Sequence, residues 1–254
     1  MMNISKYITF ITFLLLLTPA AAKKVLIDPG HGGEDCGAKA KIWKNKKLSI
    51  LCEKDIALDL AKKIKKHIET HSQHNAYLTR LIDKSVTLQK RSELADTIKA
   101  DIFISIHLNA ATDSSSQGFE TFYLDNHDNA AIKKIEDVEN TGSTIEKAII
   151  NQILASLVVE RVAPSSKELG NYVHNEITKN IKKRFKMRDR GLKPGLFYVL
   201  ALSKRPSILL EAAFLTNSRE AKLAKNNRFQ DIYAQSVAKG VIEYLDKSKD
   251  PALF

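Results

Sequence analysis

Three side chains in this sequence have the chemistry and the placement of a hydrolytic metal site: His31, Glu53 and His107. His31 lies in the turn Pro29-Gly-His-Gly-Gly33, where glycines let the backbone approach a ligand closely. Glu53 opens a long helical pattern, and His107 ends the apolar run Ile102–Ile106. Ligands gather at the carboxyl ends of strands in α/β sheets. Two of the groups stand at such ends, and a helix N-terminus can bring the third to them. Two histidines and one glutamate leave a tetrahedral zinc with its fourth position open to water. On spacing alone, a structural histidine at each place is the competing reading, because the chain has seven histidines.

The elements that must carry these groups follow from periodicity. Lys24–Asp28 reads as a strand. Ile56, Leu60, Ile64 and Ile68 recur at helical spacing within 53–70. Tyr77–Arg80 reads as a short strand and 87–99 as a second amphipathic helix. Asp101–His107 is an apolar run of the kind found in buried strands. Gly118–Leu124 reads as a strand, and the pattern turns helical from Asn129. Thr141-Gly142-Ser143 interrupts it, and Ser143 with Glu146 fits a capping box. Helices are expected over 144–162 and 166–185, strands near Leu196–Leu200 and Ser207–Glu211, and a last helix over 227–246. Strands alternating with helices predict a single three-layer α/β/α domain: a mostly parallel central sheet with helices on both faces.

Lys and Arg number 40 against 29 Asp and Glu, a formal net charge of +11, which favours anionic partners. Lys6, the apolar stretch Ile8–Leu17, Pro19 and Ala20-Ala21-Ala22 have the order of a secretory signal peptide cleaved before Lys23. The stretch is short for a membrane span, the competing reading being an uncleaved anchor. Export makes nucleic acid a poor explanation of the charge and points to an anionic wall polymer. Two cysteines are too few for a disulfide-built scaffold. Cys36 and Cys52 read equally well as a disulfide or as two free thiols. No linker or repeat divides the chain, so residues 1–22 are read as signal peptide and 23–254 as one domain.

The segment Leu26-Ile-Asp-Pro-Gly-His-Gly-Gly-Glu-Asp-Cys-Gly-Ala38 resembles the opening of the zinc-dependent N-acetylmuramoyl-L-alanine amidases. The resemblance continues through Glu53-Lys-Asp-Ile-Ala-Leu58, Thr79-Arg-Leu-Ile-Asp83, Leu88, Arg91 and Ser105-Ile-His-Leu-Asn-Ala110. It extends over Gly118-Phe-Glu120 and Pro206 to Asn217, and the order spans nearly all of 23–254. It implies that His31, Glu53 and His107 bind Zn2+, and that Glu211 is the catalytic carboxylate. Glu211 ends an apolar strand, where partial burial would raise its pKa; a salt-bridged structural glutamate is the alternative. The implied reaction is hydrolysis of the amide joining N-acetylmuramic acid to L-alanine of peptidoglycan, in wall remodelling and daughter-cell separation. Asn109 is expected to orient substrate or to hold the His107 loop. Arg80, Asp83 and Arg91 are expected to form a structural ion-pair network. Ala213 stands where many relatives have glycine.

Some relatives carry a helix after the Gly-x-Glu strand that plugs the zinc site until an activator withdraws it. Here 129–165 is the candidate variable segment, and Glu136 or Glu139 is the candidate plug. Little extra chain is available after Asn140, so an accessible, weakly inhibited site is expected. The partners expected are peptidoglycan and an activator protein, with no nucleic acid and no stable membrane anchor, the protein being a monomer of the periplasm or cell wall. A zinc carboxypeptidase acting on stem peptides and a catalytically inactive wall-binding protein are the competing functions. His67 and His71 lack the Glu that the zincin spacing requires after its first His, and Ser236-Val-Ala-Lys239 lacks a Lys-Thr-Gly partner.

Overall fold

Three strands are buried at every position, β5 (Ile102–Asn109), β6 (Phe119–Leu124) and β8 (Ser207–Phe214), and the first and last of them set the centre of the molecule. Strands with no solvated face belong in the middle of a sheet covered on both sides. A computed structural model describes residues 21–44, 47–140 and 145–247. In it β5 and β8 lie side by side in a six-stranded sheet of order β4-β1-β5-β8-β6-β7. The outer members are β1 (Lys24–Pro29), β4 (Asn75–Leu78), β6 (Phe119–Leu124) and β7 (Asp189–Gly195). β4, β1, β5 and β8 are parallel to one another. β6 runs antiparallel to β8, with β7 parallel to β6. The sheet is therefore mixed, with a parallel majority, as the alternation of elements predicts.

Alternate residues of each strand feed opposite layers. Val25, Ile27, Ile104, Ile106, Ile208 and Leu210 face α1 (Glu53–His71) and α7 (Asn227–Lys247). Leu26, Phe103, Phe122 and Leu209 face α2 (Leu88–Thr97), α3 (Ala130–Glu139) and α5 (Tyr198–Ser203). α4 (Ile145–Ile177) serves both layers, Val159 and Val162 joining the second and Leu169, Val173 and Ile177 the first.

Two expectations change. The helices expected over 144–162 and 166–185 are one, because α4 runs through Pro164 and ends in a π-helical turn at Thr178–Lys182. Buried apolar side chains on both sides of the proline outweigh its missing hydrogen bond. The strand expected at Leu196–Leu200 is instead helix α5, preceded by strand β7. Short apolar runs do not distinguish a buried strand from a buried helix. β7, Asp-Arg-Gly-Leu-Lys-Pro-Gly, has no apolar run and tolerates Pro194 because it is an edge strand. Two elements had no expectation, α6 (Ser218–Ala224) and a hairpin of β2 (Lys39–Lys44) with β3 (Lys47–Cys52). The expected signal peptide through residue 20, the Thr141-Gly142-Ser143 break and its expected capping box lie outside the described residues. Among the described residues no helix is long and apolar enough to cross a membrane.

Candidate metal centre

His31 sits just past the end of β1, Glu53 is the first residue of α1, and His107 is near the end of β5. The fold brings the three together with Glu139, one ligand atom from each lying within 4.8 Å of all the others. Glu53 Oε1 is 3.1 Å from His31 Nε2 and 3.1 Å from His107 Nδ1. Donor atoms bound to one tetrahedral zinc at ~2.0–2.1 Å lie about 3.4 Å from one another, so the spacing suits such an ion. His31 Nε2 and His107 Nδ1 are buried and make no hydrogen bond. His31 Nδ1 bonds Asp35 Oδ2 at 2.8 Å, which turns the free Nε2 lone pair towards the cluster. Two buried imidazole nitrogens without hydrogen bonds, facing a shared carboxylate, are a donor set that a divalent cation completes.

The backbone around the cluster is built for close approach. A Cβ at Gly30 would come within 2.4 Å of the His107 ring, and one at Gly37 within 2.5 Å of Glu53 Oε2. His31 itself adopts a left-handed backbone, φ 56°. Two arginines hold that conformation. Arg91 donates to the carbonyls of Pro29 and His31 and pairs with buried Asp28. Arg80 donates to the carbonyls of Pro29, Gly30 and Lys54. Asp83 pairs with Lys54 at 2.7 Å and accepts from Gly33 N. The expected network of Arg80, Asp83 and Arg91 is thus a brace around the His31 turn, whose charged partners are Asp28 and Lys54. Burial raises the Asp28 carboxyl, but Arg91 and the Thr79 hydroxyl bring it below the usual range.

Glu53 is held by the backbone as well. Its Oε2 accepts from Ala38 N at 2.7 Å and its Oε1 from Leu108 N at 2.9 Å. A disulfide joins Cys36 to Cys52 and ties the start of α1 to the His31 loop, which decides between the two readings of the cysteines. Burial would raise the Glu53 carboxyl, yet His107 and His31 hold it far below the usual range. Burial would lower His107, and Glu139 followed by Glu53 keeps it well above an ordinary imidazole.

Glu211 pairs in register with His107 on one side and with Glu120 on the other. Its Oε2 is buried without a hydrogen bond. Burial pushes its carboxyl well above the usual range; His107 opposes this, and Glu53, Glu139 and Glu120 add to it. Asn109 is buried and donates to Glu120 Oε1 at 2.6 Å, a bond that holds the strand end. Of its two expected roles, this contact matches the structural one. Glu120 is neutralised by Lys193 and Arg190, residues that carried no sequence signal because β7 has no pattern. Asp35 was legible as an acid four residues after His31 within the matched motif.

Of the two candidate plug residues, Glu139 stands beside the cluster although little extra chain is available. Glu139 Oε2 lies 3.0 Å from His107 Nδ1 and 3.7 Å from His31 Nε2. No long insertion is required, because the last turn of α3 is pinned beside the cluster. Glu136 accepts from Leu196 N and pairs with His127, while Asn140 bonds Leu196 O and Tyr198 N. Glu136 is therefore an anchor and Glu139 the residue that reaches the cluster. His67 bonds Asp231, and Ser236 donates to Ile232 O inside α7, so neither decoy builds a site.

The sequence profile of the N-acetylmuramoyl-L-alanine amidase family matches residues 25–243. The chain is 33% identical over 229 residues to the amidase AmiA of Escherichia coli, covering 87% of this chain and 75% of that protein. It is 31% identical to LytC of Bacillus subtilis, covering 90% of this chain but 37% of that protein. An N-acetylmuramoyl-L-alanine amidase structure from Clostridium difficile superposes with a TM-score of 0.66 at 30% identity, covering 89% of this chain and 98% of that one. The CwlD amidase of the same organism, solved in complex with the GerS lipoprotein, gives 0.65 at 26% identity, covering 89% and 100%.

Proposed function

This chain belongs to the N-acetylmuramoyl-L-alanine amidase family, whose members act on peptidoglycan, and from that premise we propose how its own residues do the chemistry. His31, Glu53 and His107 hold a zinc ion, and Glu211 is the general acid–base. The observation that carries this reading is the convergence of two unbonded, buried imidazole nitrogens on Glu53, beside a buried carboxyl with an unbonded oxygen. A zinc ion there supplies Lewis-acid polarisation of an amide carbonyl and lowers the pKa of water to about 7. Glu211 accepts the proton of the attacking water and delivers it to the leaving nitrogen of L-alanine. Asp35 keeps the His31 tautomer, and the Arg80–Arg91 brace keeps the His31 backbone in place.

The same reading makes the resting enzyme self-blocked. Glu139 takes a place at the cluster beside His107 Nδ1, and a partner that pulls α3 from Leu196 and Tyr198 frees that place. Such a partner must favour the open state by more than the plug favours the closed one. We place the protein outside the cytoplasm, in the periplasm or cell wall, with cleavage after Ala22 and a role in cell separation. N-terminal sequencing of the exported protein should then begin at Lys23, and a start at Met1 would refute the cleavage.

The deciding experiment uses residues 23–254 carrying Glu139→Ala, incubated with peptidoglycan with and without chelator. Release of stem peptides with a free L-alanine amine, abolished by chelator and restored by zinc, is the expected outcome. Peptides shortened only at their C-terminus would make the enzyme a carboxypeptidase instead.

A further inference from the structure

The β2–β3 hairpin has one face on the core and one turned away from it. Cross-strand partners share a face. Ala40 and Leu51 are partners, and both are buried. Lys41 pairs with Ile50 and Trp43 with Leu48 on the other side. There Trp43 is 71% exposed, Ile50 64% and Leu48 42%. Lys39 and Lys41 are exposed along the same face. Residues 39–52 contain five lysines and no acid.

The hairpin that bears this face springs from the metal centre. The hairpin leaves the wall of the site at Ala38, whose N–H donates to Glu53 Oε2 and whose carbonyl accepts from Glu53 N. The Cys36–Cys52 disulfide closes its base. At ~3.3 Å per strand residue, Ile50, paired with Lys41, stands about 10 Å and Trp43 about 17 Å from Ala38. A contiguous apolar face of this kind, rimmed by one sign of charge, marks a binding surface. Its chemistry matches a glycan bearing acidic peptides. Sugar rings present apolar C–H faces that stack on an indole, and the free carboxylates of stem peptides meet lysines. This attachment to the site favours the substrate itself over a bilayer or a protein partner.

We propose that Trp43, Leu48 and Ile50, flanked by Lys39 and Lys41, form an extended subsite for the peptidoglycan strand beyond the bond that is cut. The proposal rests on the amidase reading for the identity of the occupant. It implies that the enzyme distinguishes polymeric wall from short fragments, because a fragment that fills only the metal centre never reaches Trp43.

The test uses residues 23–254 with Glu139→Ala, comparing Trp43, Trp43→Ala, Trp43→Tyr and Lys41→Glu. Co-sedimentation with insoluble peptidoglycan in chelator reads binding without catalysis. Trp43→Ala should weaken it about tenfold, the size of one lost aromatic contact, and Trp43→Tyr should restore most of it. The ratio of turnover on peptidoglycan to turnover on a soluble muramoyl dipeptide should fall by a similar factor. Unchanged co-sedimentation in both Trp43→Ala and Lys41→Glu would overturn the proposal. So would binding that falls only for vesicles of anionic phospholipid, which would assign the face to a membrane. If the parent cuts neither substrate, the amidase reading fails, while co-sedimentation still decides the subsite.

Discussion

Glu53 and Glu139 approach the same nitrogen, His107 Nδ1, at 3.1 and 3.0 Å, yet they are mounted differently. Glu53 has a side chain 2% exposed, two backbone N–H donors and a disulfide one residue away. Glu139 is 12% exposed and sits in the last turn of a ten-residue helix tied down by the polar contacts of Glu136 and Asn140. A carboxylate with fixed donors and no room to move is pre-organised as a permanent ligand. One carried on a short, locally anchored helix can be withdrawn without opening the core, since elements with few buried contacts open at low free energy. On the proposed reading, the contrast separates a part that makes the site from a part that regulates it.

The largest effect that would break this contrast is removal of Glu53. Glu53→Ala should lower metal affinity by more than ~100-fold, because even outer-shell partners of a metal contribute ~10–100-fold. Metal content after dialysis checks it, and full occupancy would remove Glu53 from the site. Glu211→Gln should keep the metal and lose ~10²–10⁴-fold in turnover, since an amide cannot carry the proton. Near-normal turnover with metal retained would exclude Glu211 from the chemistry.

Joint replacement of Cys36 and Cys52 by serine sharpens the comparison on the rigid side. It should cost about 3 kcal/mol of stability, the chain-entropy value for a loop of this length. Urea denaturation measures it, and metal competition should show weaker binding through the loosened start of α1. A smaller effect is expected from Glu139→Ala. It should raise turnover about tenfold with metal content unchanged, equivalent to a closed state favoured by ~1.4 kcal/mol. Glu136→Ala should give a smaller rise by loosening the anchor on Leu196. A fall in metal content in Glu139→Ala would instead make Glu139 a ligand of the same kind as Glu53.

The legible parts of the fold were those with long or strongly periodic patterns. α1 and α7 keep their apolar stripes over five turns or more, and β1, β5 and β8 each carry an uninterrupted apolar run, Val25–Ile27, Ile102–Ile104 and Ile208–Leu210. β7 was hidden because an edge strand needs no apolar run, and α5 because six buried residues carry no period. The hairpin was hidden because its outer face is apolar and its inner face short, so the alternation of a half-buried strand is blurred.

Residue types in order determined which groups are capable of binding a metal, that His31 needs a glycine-rich turn, and that His107 and Glu211 follow directly on apolar runs. Those are local properties, set by backbone sterics and by where apolar runs stop. Only the tertiary structure decided that Glu139 meets His107, that Asn109 is committed to Glu120, and that Arg91 answers Asp28 across 63 positions. These contacts depend on how far a side chain reaches once its helix or strand is docked. Docking is set by packing of the whole sheet, which no window of sequence contains.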